Sequence, residues 1–154
     1  MRQRVYIDTS VIGGCCDEEF AHWSKALFDE FRGGAKIAVV SDLTHLELKE
    51  APTKVQAVLK TVPAEFVETV ALGEEALGLA DGYLQEGVVA AKHVNDARHI
   101  AIASVERVDI LASWNFKHIV NLERIHGFNA VNLKRGYPVL EIRSPREVLH
   151  EKEI

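Results

Sequence analysis

The stretch Arg4-Val5-Tyr6-Ile7-Asp8-Thr9-Ser10-Val11-Ile12-Gly13-Gly14 decides the fold of this chain. Its first part is β-branched and aromatic, and polar residues and two glycines follow. This pattern predicts a short buried strand that ends in a loop. Asp8 stands where the strand ends, and ligands of open α/β sheets bind beyond the carboxyl ends of strands, so we expect it to face a crevice. The alternative role for Asp8 is to cap a helix or a turn.

Helical and strand patterns alternate after this stretch. Apolar residues from Phe20 to Phe31 recur with helical spacing, and the segments 36–40 and 109–112 predict further buried strands. A strand, a helix and a parallel strand form a right-handed crossover. The other predicted elements are helices after Ser41, around 55–62, over 73–85 and 96–104, and from Phe116 to near Gly127, an extended segment or strand over 66–70, an edge strand over 138–142 and a capped helix start at 144–147.

Length and composition indicate one globular domain. The chain has 154 residues, 47% of them hydrophobic and 27% charged, which is typical of a soluble domain, so we expect residues 1–154 to fold as one unit. No apolar run is long enough to cross a membrane, and the first strand begins almost at the N-terminus. The expected location is therefore the cytoplasm, with no membrane partner.

Charge and cysteine content narrow the function classes. The net charge of −5 argues against a protein that coats nucleic acid electrostatically, but not against an enzyme whose acids surround a cation. Cys15 and Cys16 are adjacent, so they lack the spacing of a disulfide staple or a zinc site. We expect them to be reduced thiols near a loop.

Three acids occupy equivalent places in the predicted fold. Asp8 follows a strand, and Glu47 and Asp96 lie in the first turns of helices at the same edge of the sheet, while Asn115 follows a further strand. A solvated surface position for Glu47 and a helix-dipole role for Asp96 are the alternatives. Like charges gathered at one edge repel unless a cation lies between them. Oxygen ligands without nearby Cys or His favour Mg²⁺ or Mn²⁺.

Four segments, in this order, resemble a PIN-domain protein, the nuclease family that includes the VapC-type toxins of toxin–antitoxin pairs. They cover about residues 4 to 120, and each carries one of the four polar positions. They are Tyr6-Ile-Asp-Thr-Ser10, Ser41-Asp-Leu-Thr-His-Leu-Glu47, Asn95-Asp96 with Ala101 to Ser104, and Leu111-Ala-Ser-Trp-Asn-Phe116.

The resemblance implies a PIN-like three-layer α/β/α sandwich on a mostly parallel sheet and metal-dependent cleavage of RNA. Asp8, Glu47 and Asp96 would bind Mg²⁺ or Mn²⁺, directly or through water, and a divalent ion would polarise the scissile phosphate. The hydroxyls that would orient a ligand carboxylate or the attacking water are those of Thr9, Ser10 and Ser113. The resemblance also implies an RNA substrate, an antitoxin protein that covers the site, and a homodimer.

The fourth position departs from the family pattern. Asn115 stands where the family more often has an aspartate, so this position contributes an amide and no charge. An amide can still accept a hydrogen bond from a water. The substitution therefore argues against a second tightly bound metal ion more than against the first.

Other residues and function classes compete with this interpretation. Histidines 93, 99 and 118 lack the spacing of helical zinc ligands, which favours surface or supporting roles. Asp42 is expected to be a helix cap rather than a fourth ligand. A basic rim for a phosphate backbone could form from Lys117, His118, Arg124, Lys134 and Arg135. The competing functions are a non-catalytic PIN-like module that binds RNA or protein, and a phosphoacceptor domain. A phosphoacceptor domain requires paired acids near Asp8 and a lysine after a later strand, and this sequence has neither.

Overall fold

A computed structural model describes residues 2–150 of the chain; residue 1 and residues 151–154 of the predicted domain lie outside the described part. The described residues form five strands and eight α-helices. The strands are β1 (Gln3–Ile7), β2 (Lys36–Ser41), β3 (Val67–Val70), β4 (Ile110–Ala112) and β5 (Ile142–Arg143). The helices are α1 (Thr9–Gly14), α2 (Ala21–Arg32), α3 (Asp42–Lys49), α4 (Thr53–Lys60), α5 (Glu74–Gln85), α6 (Val94–Val105), α7 (Leu122–Lys134) and α8 (Pro145–His150).

The strands form one sheet in the order β3-β2-β1-β4-β5, and every pairing is parallel. Because β1 lies at the centre, its side chains enter both cores. Tyr6 packs with residues of α5, α6 and α7 on one face, and Val5 and Ile7 pack with residues of α1, α2 and α4 on the other. The predicted three-layer α/β/α sandwich on a parallel sheet is therefore confirmed. No helix within residues 2–150 combines the length and the apolar character that crossing a bilayer requires.

The segment after Asp8 was expected to be a loop, and this expectation is wrong. Residues 9–14 form α1, because the Asp8 carboxylate caps the helix by accepting a hydrogen bond from the backbone N–H of Val11. Gly14 allows α1 to pack closely, since a Cβ at this position would lie 2.5 Å from the Ser24 hydroxyl and 2.8 Å from the Trp114 indole nitrogen.

Two expectations in the last third of the chain also need correction. The helix expected from Phe116 begins instead at Leu122, because Asn115 folds the preceding residues into a turn by accepting hydrogen bonds from backbone N–H groups. The edge strand expected over 138–142 is reduced to β5, since the side chain of Asn129 hydrogen-bonds both backbone groups of Leu140. The segment 66–70 does contribute the edge strand β3.

Candidate functional site

The sequence-predicted acids lie at the carboxyl edge of the sheet. Asp8 follows β1 directly, and Glu47 lies in α3, which begins immediately after β2. The expected place of Glu47 in the first turn of this helix is wrong, because α3 begins at Asp42 and Glu47 lies in its second turn. Asp96 lies in the first turn of α6, which leads back towards β4 and therefore begins at the same edge. Ser113 and Asn115 follow β4. Asp109 lies at the opposite end of β4, where its carboxylate accepts a hydrogen bond from the backbone N–H of Arg4.

Asp8 is the buried member of this group, with only 5% of its surface exposed. Its Oδ1 accepts hydrogen bonds from the Ser10 hydroxyl at 2.5 Å and from the Val11 N–H at 3.4 Å, and its Oδ2 accepts one from the Ser113 hydroxyl at 2.6 Å. Burial raises the pKa of Asp8, while the charge of His99 and the serine hydroxyls oppose that rise. The surrounding hydroxyls therefore hold the carboxylate in one orientation.

Glu47 is fixed by two donors on one oxygen. Its Oε1 lies 2.7 Å from the Thr9 hydroxyl and 2.6 Å from Nε2 of His99. Burial alone would raise the pKa of Glu47, but the hydrogen bond and charge of His99, with the Thr9 hydroxyl, hold it below its ordinary value. Glu47 is therefore an ionised carboxylate that only accepts hydrogen bonds. Its Oε2 accepts none from the described residues.

Asp96 is half-buried and far less constrained. Within the described part of the chain its carboxylate accepts no hydrogen bond, and Nδ1 of His93 lies 3.9 Å from its Oδ2. Burial raises the pKa of Asp96, and the negative charge of Asp8 raises it further. Asp8 and Asp96 are thus two desolvated carboxylates that repel each other, and this is the electrostatic environment that a cation would relieve.

Asp8, Glu47 and Asp96 do not form a ready three-ligand metal site. Among residues 2–150, no three carboxylate, imidazole or thiol side chains are arranged as a ready metal centre. The donors nevertheless fit Mg²⁺ or Mn²⁺ in kind, because they are oxygens, and Mg²⁺ is commonly bound by one or two carboxylates together with substrate phosphates. Asp8 and Asp96 supply such a pair of carboxylates, whereas Glu47 hydrogen-bonds to His99 and to Thr9, the residue that follows Asp8.

Asn115 has a local structural role at this edge. Its Oδ1 accepts a hydrogen bond from the backbone N–H of His118 at 2.9 Å, and its own N–H donates to the Ser113 hydroxyl at 2.9 Å. Because that hydroxyl in turn donates to Asp8, Asn115 is linked to the first carboxylate through Ser113. Its Nδ2 donates to no partner among the described residues.

The sequence indicates a surface or supporting role for His99 but not its partner, and it indicates no role for the Tyr6 hydroxyl. His99 is 2% exposed and bridges Glu47 to the Tyr6 hydroxyl, whose oxygen lies 2.6 Å from Nδ1. The available signal was a single histidine in an alanine-rich buried helix, three residues and about one turn from Asp96. His93 and His118 are not part of this hydrogen-bond network; their rings stack with centroids 3.6 Å apart, and His93 lies beside Asp96.

Three of the five residues of the predicted basic rim form contacts within the protein. Arg124 donates to the carbonyl of Val88, Lys134 pairs with Glu86, and Arg135 contacts the carbonyl of Gly78. These contacts join α7 to α5 and to the loop that follows α5. Asp42 is the first residue of α3 and not its cap, which is Ser41; its Oδ1 accepts hydrogen bonds from the backbone N–H groups of Leu43 and Leu72.

The architecture and the acidic carboxyl edge define a PIN-like α/β protein. Comparison with protein-family models and with curated proteins finds no match. Among solved structures, the chain is similar to VapC20 of Mycobacterium tuberculosis, a Sarcin-Ricin loop cleaving toxin, with a TM-score of 0.58 and 11% identity over 74% of this chain and 92% of that one.

Two further solved structures cover 92% of the chain. VapBC2 from Rickettsia felis, bound to a DNA fragment from its promoter, has a TM-score of 0.53 and 14% identity, with 98% of that chain covered. FitAcB from Neisseria gonorrhoeae has a TM-score of 0.52 and 17% identity, with 97% covered. At these identities the similarity establishes the fold, and the chain has the PIN-like fold of VapC-type toxins.

Proposed function

We propose that this protein is an endoribonuclease that depends on Mg²⁺ or Mn²⁺, with Asp8, Glu47 and Asp96 as the metal ligands. The observation that carries the proposal is the placement of a buried Asp8 and a half-buried Asp96 at the carboxyl edge of the sheet, where the charge of Asp8 also raises the pKa of Asp96. The repulsion between two such carboxylates opposes folding unless a cation binds between them. The VapC-type fold supports RNA as the substrate.

Each residue of the site has a distinct part in the proposed reaction. A bound divalent ion would polarise the scissile phosphate and lower the pKa of the attacking water. Asp8, held by Ser10 and Ser113, is the rigid ligand, and Asp96 is the adaptable one. Asn115 contributes an uncharged amide, so the proposal requires one metal ion rather than two.

The test is cleavage of single-stranded and hairpin RNA by the purified full-length chain in MnCl₂, with EDTA as the metal-free arm. Asp8→Asn and Asp96→Asn should each lower kcat/KM by more than about 100-fold, which exceeds the usual cost of losing a group that only orients a ligand. Asp42→Asn is the matched control, because Asp42 is an acid at the same edge whose carboxylate accepts hydrogen bonds from backbone N–H groups. Cleavage that persists in EDTA or in Asp8→Asn contradicts the proposal.

A non-catalytic PIN-like module that binds RNA or protein is the second candidate. The absence of a preformed three-ligand cluster among the described residues favours it. Titration calorimetry with MnCl₂ separates the two functions. Binding in the micromolar to millimolar range that disappears in Asp8→Asn supports the nuclease, while no binding together with retained RNA affinity supports the module.

We further propose that the protein is the cytoplasmic toxin of a type II pair, which forms a homodimer and is inhibited by an antitoxin that covers the site. Leu46, which follows His45 and precedes Glu47 in the chain, is 58% exposed, and Phe116, which follows Asn115, is 49% exposed, so two large apolar side chains next to predicted site residues in the sequence are open to a partner. Co-purification of the product of the neighbouring reading frame, with loss of RNA cleavage in the complex, tests the antitoxin. Light scattering of the isolated chain tests the dimer.

A further inference from the structure

A buried row of hydrogen bonds leads from the start of α3 to Glu47. The Tyr6 hydroxyl lies 2.9 Å from Oγ of Ser41 and 2.6 Å from Nδ1 of His99, and Nε2 of His99 lies 2.6 Å from Oε1 of Glu47. Tyr6 and Ser41 are fully buried, and His99 is nearly so. The row therefore connects four elements, because Tyr6 lies in β1, Ser41 ends β2, Glu47 lies in α3 and His99 lies in α6.

The protons in this row have a defined order. Ser41 caps α3 and accepts from the backbone N–H of Thr44, so its own proton is available to the Tyr6 oxygen. The Tyr6 hydroxyl lies 2.6 Å from Nδ1 of His99 and donates to that nitrogen when the neutral ring carries its proton on Nε2. Nε2 of His99 is the donor to Oε1 of Glu47, because a carboxylate oxygen only accepts hydrogen bonds.

We propose that Tyr6 and His99 are positioning residues, which hold Glu47 by Oε1 and leave Oε2 as its metal-binding oxygen. This inference rests on the proposed function, because it assumes that Glu47 is a ligand. A glutamate in a helix has several rotatable bonds, and an unrestrained one would be solvated away from the sheet edge. His99 on one side and Thr9 on the other restrain the same oxygen of Glu47.

A purely structural role is the competing explanation, since buried polar networks also stabilise folds. Metal affinity distinguishes the two roles, because a fold-stabilising network need not change the affinity of variants that still fold. His99→Leu removes the donor to Glu47, whereas His99→Gln retains an N–H in nearly the same place. Tyr6→Phe removes only the hydroxyl that orders the imidazole.

Tyr83→Phe is the matched control for Tyr6→Phe. Tyr83 is fully buried in the same core cluster, and its hydroxyl donates to Asn132 and lies 3.4 Å from that of Ser104. It has no contact with the three acids. Its replacement should therefore cost a comparable buried hydrogen bond without affecting the proposed metal ligands.

The experiment measures Mn²⁺ binding to the full-length chain by titration calorimetry, together with the unfolding temperature of each variant. His99→Leu should raise the Kd for Mn²⁺ by about 10–100-fold, the usual effect of losing a group that orients a metal ligand. Tyr6→Phe should raise it less, His99→Gln should restore much of the affinity, and Tyr83→Phe should leave it at the wild-type value.

The possible results separate this inference from the function on which it rests. If the wild type binds no Mn²⁺, the proposed function fails and the inference fails with it. If the wild type binds Mn²⁺ and Glu47→Gln weakens that binding, but Tyr6→Phe and His99→Leu leave it unchanged, the inference alone is overturned. Should His99→Leu not fold, the comparison of Tyr6→Phe with Tyr83→Phe decides.

Discussion

Replacement of Asp8 by asparagine should stabilise the metal-free protein. The Asp8 carboxylate is buried and raises the pKa of Asp96, so the charge on Asp8 opposes folding near neutral pH. Asparagine removes that charge but keeps an Oδ1 that can cap α1 and accept from Ser10. The Ser113 hydroxyl, which now donates to Asp8, can rotate to accept from the new amide.

The size of the expected rise in Tm follows from the raised pKa of Asp8 and the length of the chain. Each unit by which folding raises the pKa of Asp8 corresponds to about 1.4 kcal/mol of lost stability at a pH above both values. For a chain of this size, about 1 kcal/mol changes Tm by 2–4 °C. We therefore expect Asp8→Asn to raise Tm in EDTA at pH 7 by several degrees. Asp8→Ala removes the same charge but should give a lower Tm than Asp8→Asn, because the lost N-cap costs about 0.5–2 kcal/mol and two serine hydroxyls lose their acceptor.

The pH dependence has a defined sign. Folding raises the pKa of Asp8 above its ordinary value of 3.8, so the folded protein binds the proton more tightly than the unfolded chain does. The stabilising contribution of the protonated group is complete below 3.8 and is lost as the pH rises through the folded-state pKa. The advantage of Asp8→Asn should therefore be present at pH 7 and disappear on acidification towards 3.8.

Addition of Mn²⁺ should make the wild type more thermally stable than Asp8→Asn. A ligand at about 100 times its Kd stabilises the folded state by about 2.7 kcal/mol, and only the wild type retains the Asp8 ligand. Differential scanning calorimetry in EDTA and in MnCl₂ measures both effects. A lower Tm for Asp8→Asn than for the wild type in EDTA would refute the electrostatic argument, and equal stabilisation of both proteins by Mn²⁺ would refute Asp8 as a ligand.

Three further predictions concern packing, reactivity and a buried ion pair. Gly14→Ala should destabilise the protein by about 1–3 kcal/mol in urea unfolding, because its Cβ would lie 2.5 Å from a hydrogen-bonded side-chain oxygen. In a Cys16→Ser background, Cys15 should react with a disulfide reagent far more slowly in the folded protein than in urea at pH 8, since burial raises the pKa of its thiol to about 11. Lys36→Met should lower the free energy of unfolding in urea by about 3–5 kcal/mol, because the nearly fully buried Lys36 ammonium lies 2.6 Å from a Glu30 carboxylate oxygen. A second substitution in the same chain, Glu30→Leu, should restore most of that free energy.

The sequence predicts the central strands well because their signal is local. Val5 to Ile7 and Ile37 to Val40 are continuous apolar runs, as a parallel strand covered on both faces requires. Asp8 could be placed at a strand end for the same reason. That Asp8 also begins a helix could not be decided, because Gly13 and Gly14 favour a loop and the contact that makes a glycine necessary is with Trp114, far along the chain.

The partners of the acids depend on long-range contacts, and the sequence alone does not contain them. His99 contacts Glu47, 52 residues earlier in the chain, and Tyr6, 93 residues earlier. Helical periodicity places His99 near Asp96 but gives no information about what faces it across the sheet. The shortening of β5 has a similar cause, since an asparagine of α7 binds the backbone of Leu140 that strand pairing would otherwise use.

Asp8 and Asp96 differ in how many of their lone pairs are free of hydrogen bonds. A carboxylate offers about four lone pairs, and Asp8 uses three of them on Ser10, Val11 and Ser113. Asp96 uses none on the described residues. A bound ion would therefore meet one ligand whose direction is set by the fold and one that can adjust to the substrate. In the proposed reaction, the fixed direction of Asp8 would orient a bound Mg²⁺ ion, and the freedom of Asp96 would allow the remaining positions to adjust to an RNA phosphate.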